Sequence, residues 1–185
     1  MELMKLIERR ESCRKYMNTP VKRELIDRCI EAARLAPSAC NAQPWRYIAV
    51  DNPQIAAKVA PLLRAEGSSV NSFTDGVPAF IVAVEKPVDL TAKLGPACVR
   101  ANYSELDIGI SVAHLCLTAT EAGLGCCVLG VFKEEGIQAL LGIPGDYRVR
   151  LVVCLGYPAP GDPRPKMRLE RDKMSAYNRF SEAIK

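Results

Sequence analysis

The sequence predicts a chain of mixed α and β class, α/β or α+β, with helices and strands intermixed along its length. Three observations carry this. Leu106–Ala122 is apolar or small at most positions, and its Asp107, Ser111, His114, Thr118 and Glu121 recur at steps of four and three, one stripe on a helix. Ala79–Val84 (AFIVAV) is an unbroken apolar run, the pattern of a buried strand. Leu25, Ile26, Cys29, Ile30 and Ala33 repeat at helical spacing between Pro20 and Pro37. A helix that is apolar around most of its circumference requires enclosure. A chain of 185 residues builds one modest core, so a second copy of the chain is the expected enclosure.

The elements follow in order. Glu2–Arg9 reads as a short helix with Leu3, Leu6 and Ile7 on one side, and Arg9–Arg14 as a polar turn carrying three arginines. Pro20 opens the second helix and Pro37 ends it, because the residue before a proline is pushed out of the α region. Ala36–Pro44 is a loop of small and amide residues, Trp45–Val50 a strand, and Ile55–Ala60 a helix before Pro61. Gly67–Gly76 and Asp89–Pro96 read as loops. The long helix begins soon after Pro96 and closes at Gly123 or Gly125. Cys126–Val131, Lys133–Leu141 and Arg148–Leu155 supply a strand, a helix and a strand. Tyr157–Pro165 holds four prolines and reads as extended surface chain; the tail from Arg168 is charged and only weakly helical. No linker or repeat divides residues 1–185, so one domain with a C-terminal extension over 157–185 is expected.

Composition excludes several classes. A net charge of +4 without a long basic run argues against nucleic acid. The eight cysteines are scattered, lack a C-x-x-C pair and have one histidine, His114, for company, so a metal site is not expected. Adjacent Cys126 and Cys127 cannot both enter one metal shell from a strand. Reduced thiols, a start (MELMK) without the apolar core of a signal peptide, and a charged, glycine-broken apolar stretch over Ile108–Phe132 together predict a cytoplasmic protein with no membrane span.

Three clusters carry possible chemistry. Arg10, Ser12 and Arg14 alternate, so an extended turn projects two guanidinium groups and a hydroxyl to one side, where they converge on an anion. Lys166 and Arg168 share the same spacing after the proline-stiffened run. Ala36–Arg46 (APSACNAQPWR) combines two prolines, a serine and amides, which also suits a loop that stops a helix. Taken singly, the two basic clusters read first as solvated ends and the third as a turn.

In this order they resemble the FMN-dependent nitroreductases, a family with an R-R-S-x-R-like start, an A-P-S-x-x-N-x-Q-P-W loop, a long helix ending in Glu121-Ala122-Gly123-Leu124-Gly125-Cys126, and a terminal Lys166-x-Arg168. The resemblance implies an α+β fold, a three-layer α/β/α sandwich with a mostly antiparallel sheet, and a homodimer with the long helix at its interface. It implies that Arg10, Ser12 and Arg14 hold FMN, with Arg14 near the pyrimidine edge or ribityl chain, and that Lys166 and Arg168 close on its phosphate. Pro37, Ser38 and Asn41 would reach the flavin bound mainly by the other subunit. Asn71 would face the pyrimidine ring, and Leu129 and Gly130 would supply a backbone N–H near flavin N5. NADH or NADPH would be the donor, and a nitroaromatic, quinone or related small molecule the acceptor, by a ping-pong scheme. A cation fixed beside N1 stabilises the charge of the reduced ring, and no acid–base side chain is obligatory for hydride transfer. Glu11 departs from the family pattern by setting an acid beside the phosphate cluster. The alternatives are another flavin chemistry such as reductive dehalogenation, a flavin-binding storage or redox-sensing protein using the cysteines, and a basic binding module without cofactor. His114 is expected in the core or an interface.

Overall fold

The computed structural model describes residues 2–88, 102–161 and 164–180. Its centre is a sheet of four strands, β1 (Trp45–Val50), β2 (Ala79–Glu85), β3 (Gly125–Leu129) and β4 (Arg148–Gly156), in the order β1-β2-β4-β3 with every neighbouring pair antiparallel. The α+β expectation holds, and strand direction, which apolar runs do not encode, is supplied by the pairing. All seven residues of β2 are buried because β2 is flanked by strands on both edges and covered on both faces.

The period of two in the strands divides the core. On one face Ile81, Ala83, Val153, Leu155 and Cys126 pack against α2 (Arg23–Arg34) and α4 (Tyr103–Glu121). On the other, Phe80, Val82, Val152, Cys154, Cys127 and Leu129 pack against α3 (Pro53–Val59) and α5 (Glu134–Leu141). This is the three-layer sandwich, and adjacent Cys126 and Cys127 point into opposite layers as expected. The short α1 (Leu3–Arg9) lies beside α4.

Several boundaries move for physical reasons. Pro20 does not open α2: Lys22 is extended, Val21 is buried, and the helix starts at Arg23. The helix α3 begins earlier than its apolar period, because Asn52 accepts the N–H groups of Gln54 and Ile55 and Pro53 takes the first helical position. The polar segment 67–76 contains a 3-10 turn, Ser72–Gly76, held by buried Thr74, whose hydroxyl donates to Ala60 O and Asn71 O. Strand β3 stops at Leu129, two residues short of the apolar run. The tail shows one 3-10 turn, Arg171–Lys173. The expected loop at 89–96 lies outside the described residues.

Helix α4 closes on Gly123 at φ +78, with Gly123 N–H to Thr120 O and Leu124 N–H to Ala119 O. Its polar stripe is turned inward at one end. Asp107 is buried and accepts the Ala39 N–H at 3.0 Å. Ser111 is fully buried, donates to Ala33 O at 2.6 Å and thereby accepts the Tyr47 hydroxyl, also at 2.6 Å. The same burial pushes the Tyr47 phenol up to about 12. Ser111→Ala leaves both partners short of a hydrogen bond and is expected to cost roughly 1–3 kcal/mol, read as a lower melting temperature in calorimetry. Five large apolar residues face outward, Leu106 and Ile110 on α4 and Leu3, Met4 and Ile7 on α1, among exposed charges such as Glu105 and Lys5. Among the described residues no helix is long and apolar enough to cross a membrane, and no group of acidic, histidine or cysteine side chains is placed to hold a metal.

Candidate functional site

Strand β3 is an edge strand, and an edge exposes unpaired backbone groups. The N-terminal segment covers it: Ser12 bridges Cys126 in parallel, and the Cys13 N–H donates to Cys126 O at 2.9 Å. The chain after β4 then lies on that segment, through Met17 N–H to Tyr157 O at 2.8 Å and Ala159 N–H to Lys15 O at 3.0 Å. Residues 12–17 and the proline-rich extension are thus brought together at one rim of the sheet. Gly125 makes the approach possible, since a Cβ there would sit 2.7 Å from Cys13 Sγ and 2.8 Å from Cys13 Cβ.

Between these segments lies a cavity of about 930 Å³, walled by Glu8–Arg9, Glu11–Lys15, the turn Gly123–Gly125 and, from the extension, Pro158–Gly161 and Arg164–Lys166. Its cations are Arg9, Arg14, Lys15, Arg164 and Lys166. Elsewhere arginines meet carboxylates, as in Arg23–Asp51, Arg28–Glu121 and Arg150–Glu85. The cavity cations make no such pair among the described residues. Arg164 donates to Ser12 O at 2.7 Å, and Lys166 donates to Ile7 O at 3.2 Å and to Glu8 O, the last carbonyls of α1. Desolvation, followed by the charges of Arg10 and Arg168, holds the Lys166 ammonium below the ordinary lysine range, with Glu11 and Glu8 opposing. Arg164 and Lys166, bonded to carbonyls rather than to carboxylates, make a donor set whose chemistry suits an anion.

The expected site residues fall into four groups. Ser12, Arg14 and Lys166 line the cavity. Arg10 is not in its wall but acts on Lys166 and on the thiols of Cys116 and Cys126, and Arg168, exposed, acts on Lys166. Arg14 also extends over the Phe73 ring, 5.9 Å from its centroid. Asn71, left-handed at φ +62, donates its amide to Leu63 O at 2.8 Å and Val131 O at 3.4 Å, beside Leu129 and Gly130 at the end of β3.

Pro37, Ser38 and Asn41 form a separate cluster. Ser38 Oγ accepts the Gln43 N–H at 3.0 Å, and Cys40, Asn41 and Gln43 all take positive φ, a strained loop for non-glycine residues. Asp107 ties this loop to the start of α4, whereas the cavity borders its end at Thr120. Thirteen residues of helix separate them, about 20 Å. One chain does not unite the two clusters.

Sequence reading missed Arg164, Lys15 and Phe73. Arg164 was findable, since it stands two residues before Lys166 in the same proline run. Glu11, expected beside the cluster, lines the cavity itself.

A family model, Nitroreductase family, matches residues 7–157. The chain is 32% identical over 163 residues to a Methanothermobacter thermautotrophicus protein with the provisional name NADH dehydrogenase/NAD(P)H nitroreductase, covering 86% of this chain and 78% of that one. It is 27% identical over 194 residues to an iodotyrosine deiodinase of Haliscomenobacter hydrossis, covering 93% and 86%. An FMN-dependent nitroreductase of Clostridium difficile shares the fold at a TM-score of 0.77 and 24% identity, covering 96% and 99% of the two chains. With the family pattern spanning all three layers and the N-terminal half of the cavity wall, this chain belongs to the Nitroreductase family of oxidoreductases.

Proposed function

We propose that the chain is a homodimeric, FMN-dependent NAD(P)H oxidoreductase that reduces nitroaromatic, quinone or related small molecules. The observation that carries this reading is the cavity whose cations lack carboxylate partners among the described residues. Its donor set fits FMN: a phosphate dianion takes several charged donors, and Arg164 and Lys166 in the wall, with Arg10 and Arg168 close to Lys166, would supply them from both ends of the chain. Ser12 and Arg14 would hold the ribityl chain and the pyrimidine edge. Asn71, Leu129 and Gly130 would border the ring from the end of β3. When bound, the flavin supplies two-electron hydride chemistry.

The chain's own part is binding, orientation and charge. Arg14, steadied against Phe73, places a fixed cation where reduction leaves negative charge. Pro37, Ser38 and Asn41 lie too far along α4 to serve the same chain's cavity, so they would serve a second copy's. The exposed apolar residues Leu106 and Ile110 on α4, with Leu3, Met4 and Ile7 on α1, support that pairing. Residues 1–185 would act as one FMN-binding domain, with 157–185 as its extension, in the cytoplasm. The deiodinase relative supports a second reading, reductive dehalogenation on the same cofactor.

Anaerobic stopped-flow mixing with NADH and with NADPH tests the reading. Bleaching of bound flavin followed by re-oxidation with a quinone or nitroaromatic is expected, while a flavin that neither nucleotide bleaches indicates storage or sensing. Lys166 adds a pH signature. An anion favours its charged form, so FMN affinity should fall as pH rises through a Lys166 pKa set below the ordinary lysine value. In Lys166→Met, equilibrium titrations across alkaline pH should lose that limb.

A further inference from the structure

Asp107 stands on the second turn of α4, 5% exposed, beside the buried Ile108, Ser111 and Val112. A buried carboxylate is costly unless it is hydrogen-bonded. Its partner lies outside the helix: the Ala39 N–H donates to Asp107 Oδ2 at 3.0 Å, across 68 residues of sequence. The segment thus reached is the Ser38–Gln43 loop. Its Cys40, Asn41 and Gln43 take φ of 51, 54 and 48, backbone that non-glycine residues keep only where their surroundings impose it. The loop's other hydrogen bonds are local. Asn41 N–H donates to Ser38 O and Ala42 N–H to Ala39 O, both at 3.0 Å. Ser38 Oγ accepts the Gln43 N–H at 3.0 Å, and Arg46 donates to Gln43 O at 3.3 Å. These bonds close the turn without fixing where it stands on the molecule. Among the described residues, Asp107 is the hydrogen-bonding group that ties residues 38–43 to a distant element.

We propose that Asp107 is a positioning residue for the flavin site of a second copy of the chain. Through the Ala39 N–H it sets where Ser38 and Asn41 enter the partner's cavity, and it does not touch the cofactor itself. This role rests on the loop serving the other chain, as proposed above. A hydrogen bond to a carboxylate is stronger than the neutral bonds inside the loop, and its base is rigid, because α4 packs against α2 and the sheet through Ile108 and Val112. A buried helix thereby holds a strained loop in one place before any ligand arrives. A carboxylate that served only its own chain's fold would affect the flavin held by that chain; a positioning Asp107 affects the flavin held by the other.

The test uses Asp107→Ala and, from the other side of the bond, Ala39→Pro, which removes the N–H and leaves the interior of α4 untouched. Ser38 is already extended at φ -146 and ψ 153, the conformation favoured before a proline, so Ala39→Pro decides the matter where Asp107→Ala does not fold. Without FMN, hydrogen exchange over residues 36–44 should quicken in both variants while β2 and α4 exchange as in the parent. Fluorescence titration should show FMN bound roughly 10-fold more weakly. Asp107→Asn, whose amide oxygen still accepts the Ala39 N–H, should recover most of that loss. The deciding arm is a mixed dimer, isolated through two affinity tags, of one Asp107→Ala or Ala39→Pro chain and one chain carrying Arg14→Ala with Lys166→Met. One flavin per mixed dimer should bind with parental affinity, and the second more weakly than in either variant homodimer. Two impaired sites in the mixed dimer, or parental affinity and exchange in the Asp107→Ala and Ala39→Pro homodimers, would overturn the proposal. Failure of the underlying function shows elsewhere: an unsubstituted chain that retains no FMN, or an Arg14→Ala/Lys166→Met homodimer that binds it as the parent does, refutes the cavity as the flavin site and the role of Asp107 with it.

Discussion

Arg14→Ala is expected to weaken FMN binding by roughly 10- to 100-fold, the range that loss of a hydrogen bond to a charged group implies at about 1.5–3 kcal/mol. It should also slow flavin reduction, because the cation proposed to offset charge on the reduced ring is lost. Arg14 is exposed and its guanidinium rests near Phe73 rather than on a carboxylate, so the substitution leaves the core intact. Fluorescence titration with FMN and single-turnover reduction measure the two effects separately. Arg14→Lys should recover part of the rate but less of the affinity, since an ammonium keeps the charge and loses the planar fork. Unchanged affinity and unchanged rate in the alanine variant would remove Arg14 from the site.

Gly125→Val is the second large effect. The added Cβ would lie within 2.8 Å of both Cys13 Sγ and Cys13 Cβ, a clash that rotation of the small Cys13 side chain cannot relieve. The Ser12–Cys13 segment would move off β3, carrying with it the Ser12 carbonyl that Arg164 uses and the start of the Arg14 side chain. A loss of about 1–3 kcal/mol of stability is expected from overpacking, together with loss of retained flavin. Gly145→Ala is the control, because nothing lies within 4 Å of its added Cβ. Denaturant melts and the flavin content of the purified variants check both outcomes. A Gly125→Val protein as stable and as yellow as the parent would show that the approach of Cys13 to β3 is dispensable.

Much of the sandwich was legible because its signals are local. The apolar run in β2, the helical spacing in α2 and the closing glycine of α4 each state their element within a few residues. Cys126 and Cys127 were assigned to opposite faces by the strand period alone. Strand order was not legible and strand direction was available only through the family resemblance, because both depend on which edges meet. The inward turn of Asp107 and Ser111 was hidden for a related reason: their partners, Ala39 N–H and Ala33 O, are backbone groups roughly seventy residues away in sequence.

The candidate site divides in the same manner. Ser12, Arg14 and Lys166 were recognisable by residue type and alternate spacing, and they share a cavity. Arg164 escaped notice because its role depends on the Ser12 carbonyl across the fold. Glu11 was visible as an oddity, and only the fold shows that it lines the cavity. Pro37, Ser38 and Asn41 were assigned by family resemblance to the flavin bound mainly by the other subunit, and within one chain Asp107 holds their loop at the far end of α4 from the cavity.

In the proposed site, flavin is held by cations from both ends of one chain and completed by the Ser38–Asn41 loop of another. Analytical ultracentrifugation of FMN-loaded protein, monitored at the flavin absorbance and at the protein absorbance together, tests it most directly. Two chains sedimenting as one species with one flavin per chain is the expected result. A colourless monomer, or flavin that sediments apart from the protein, would contradict it.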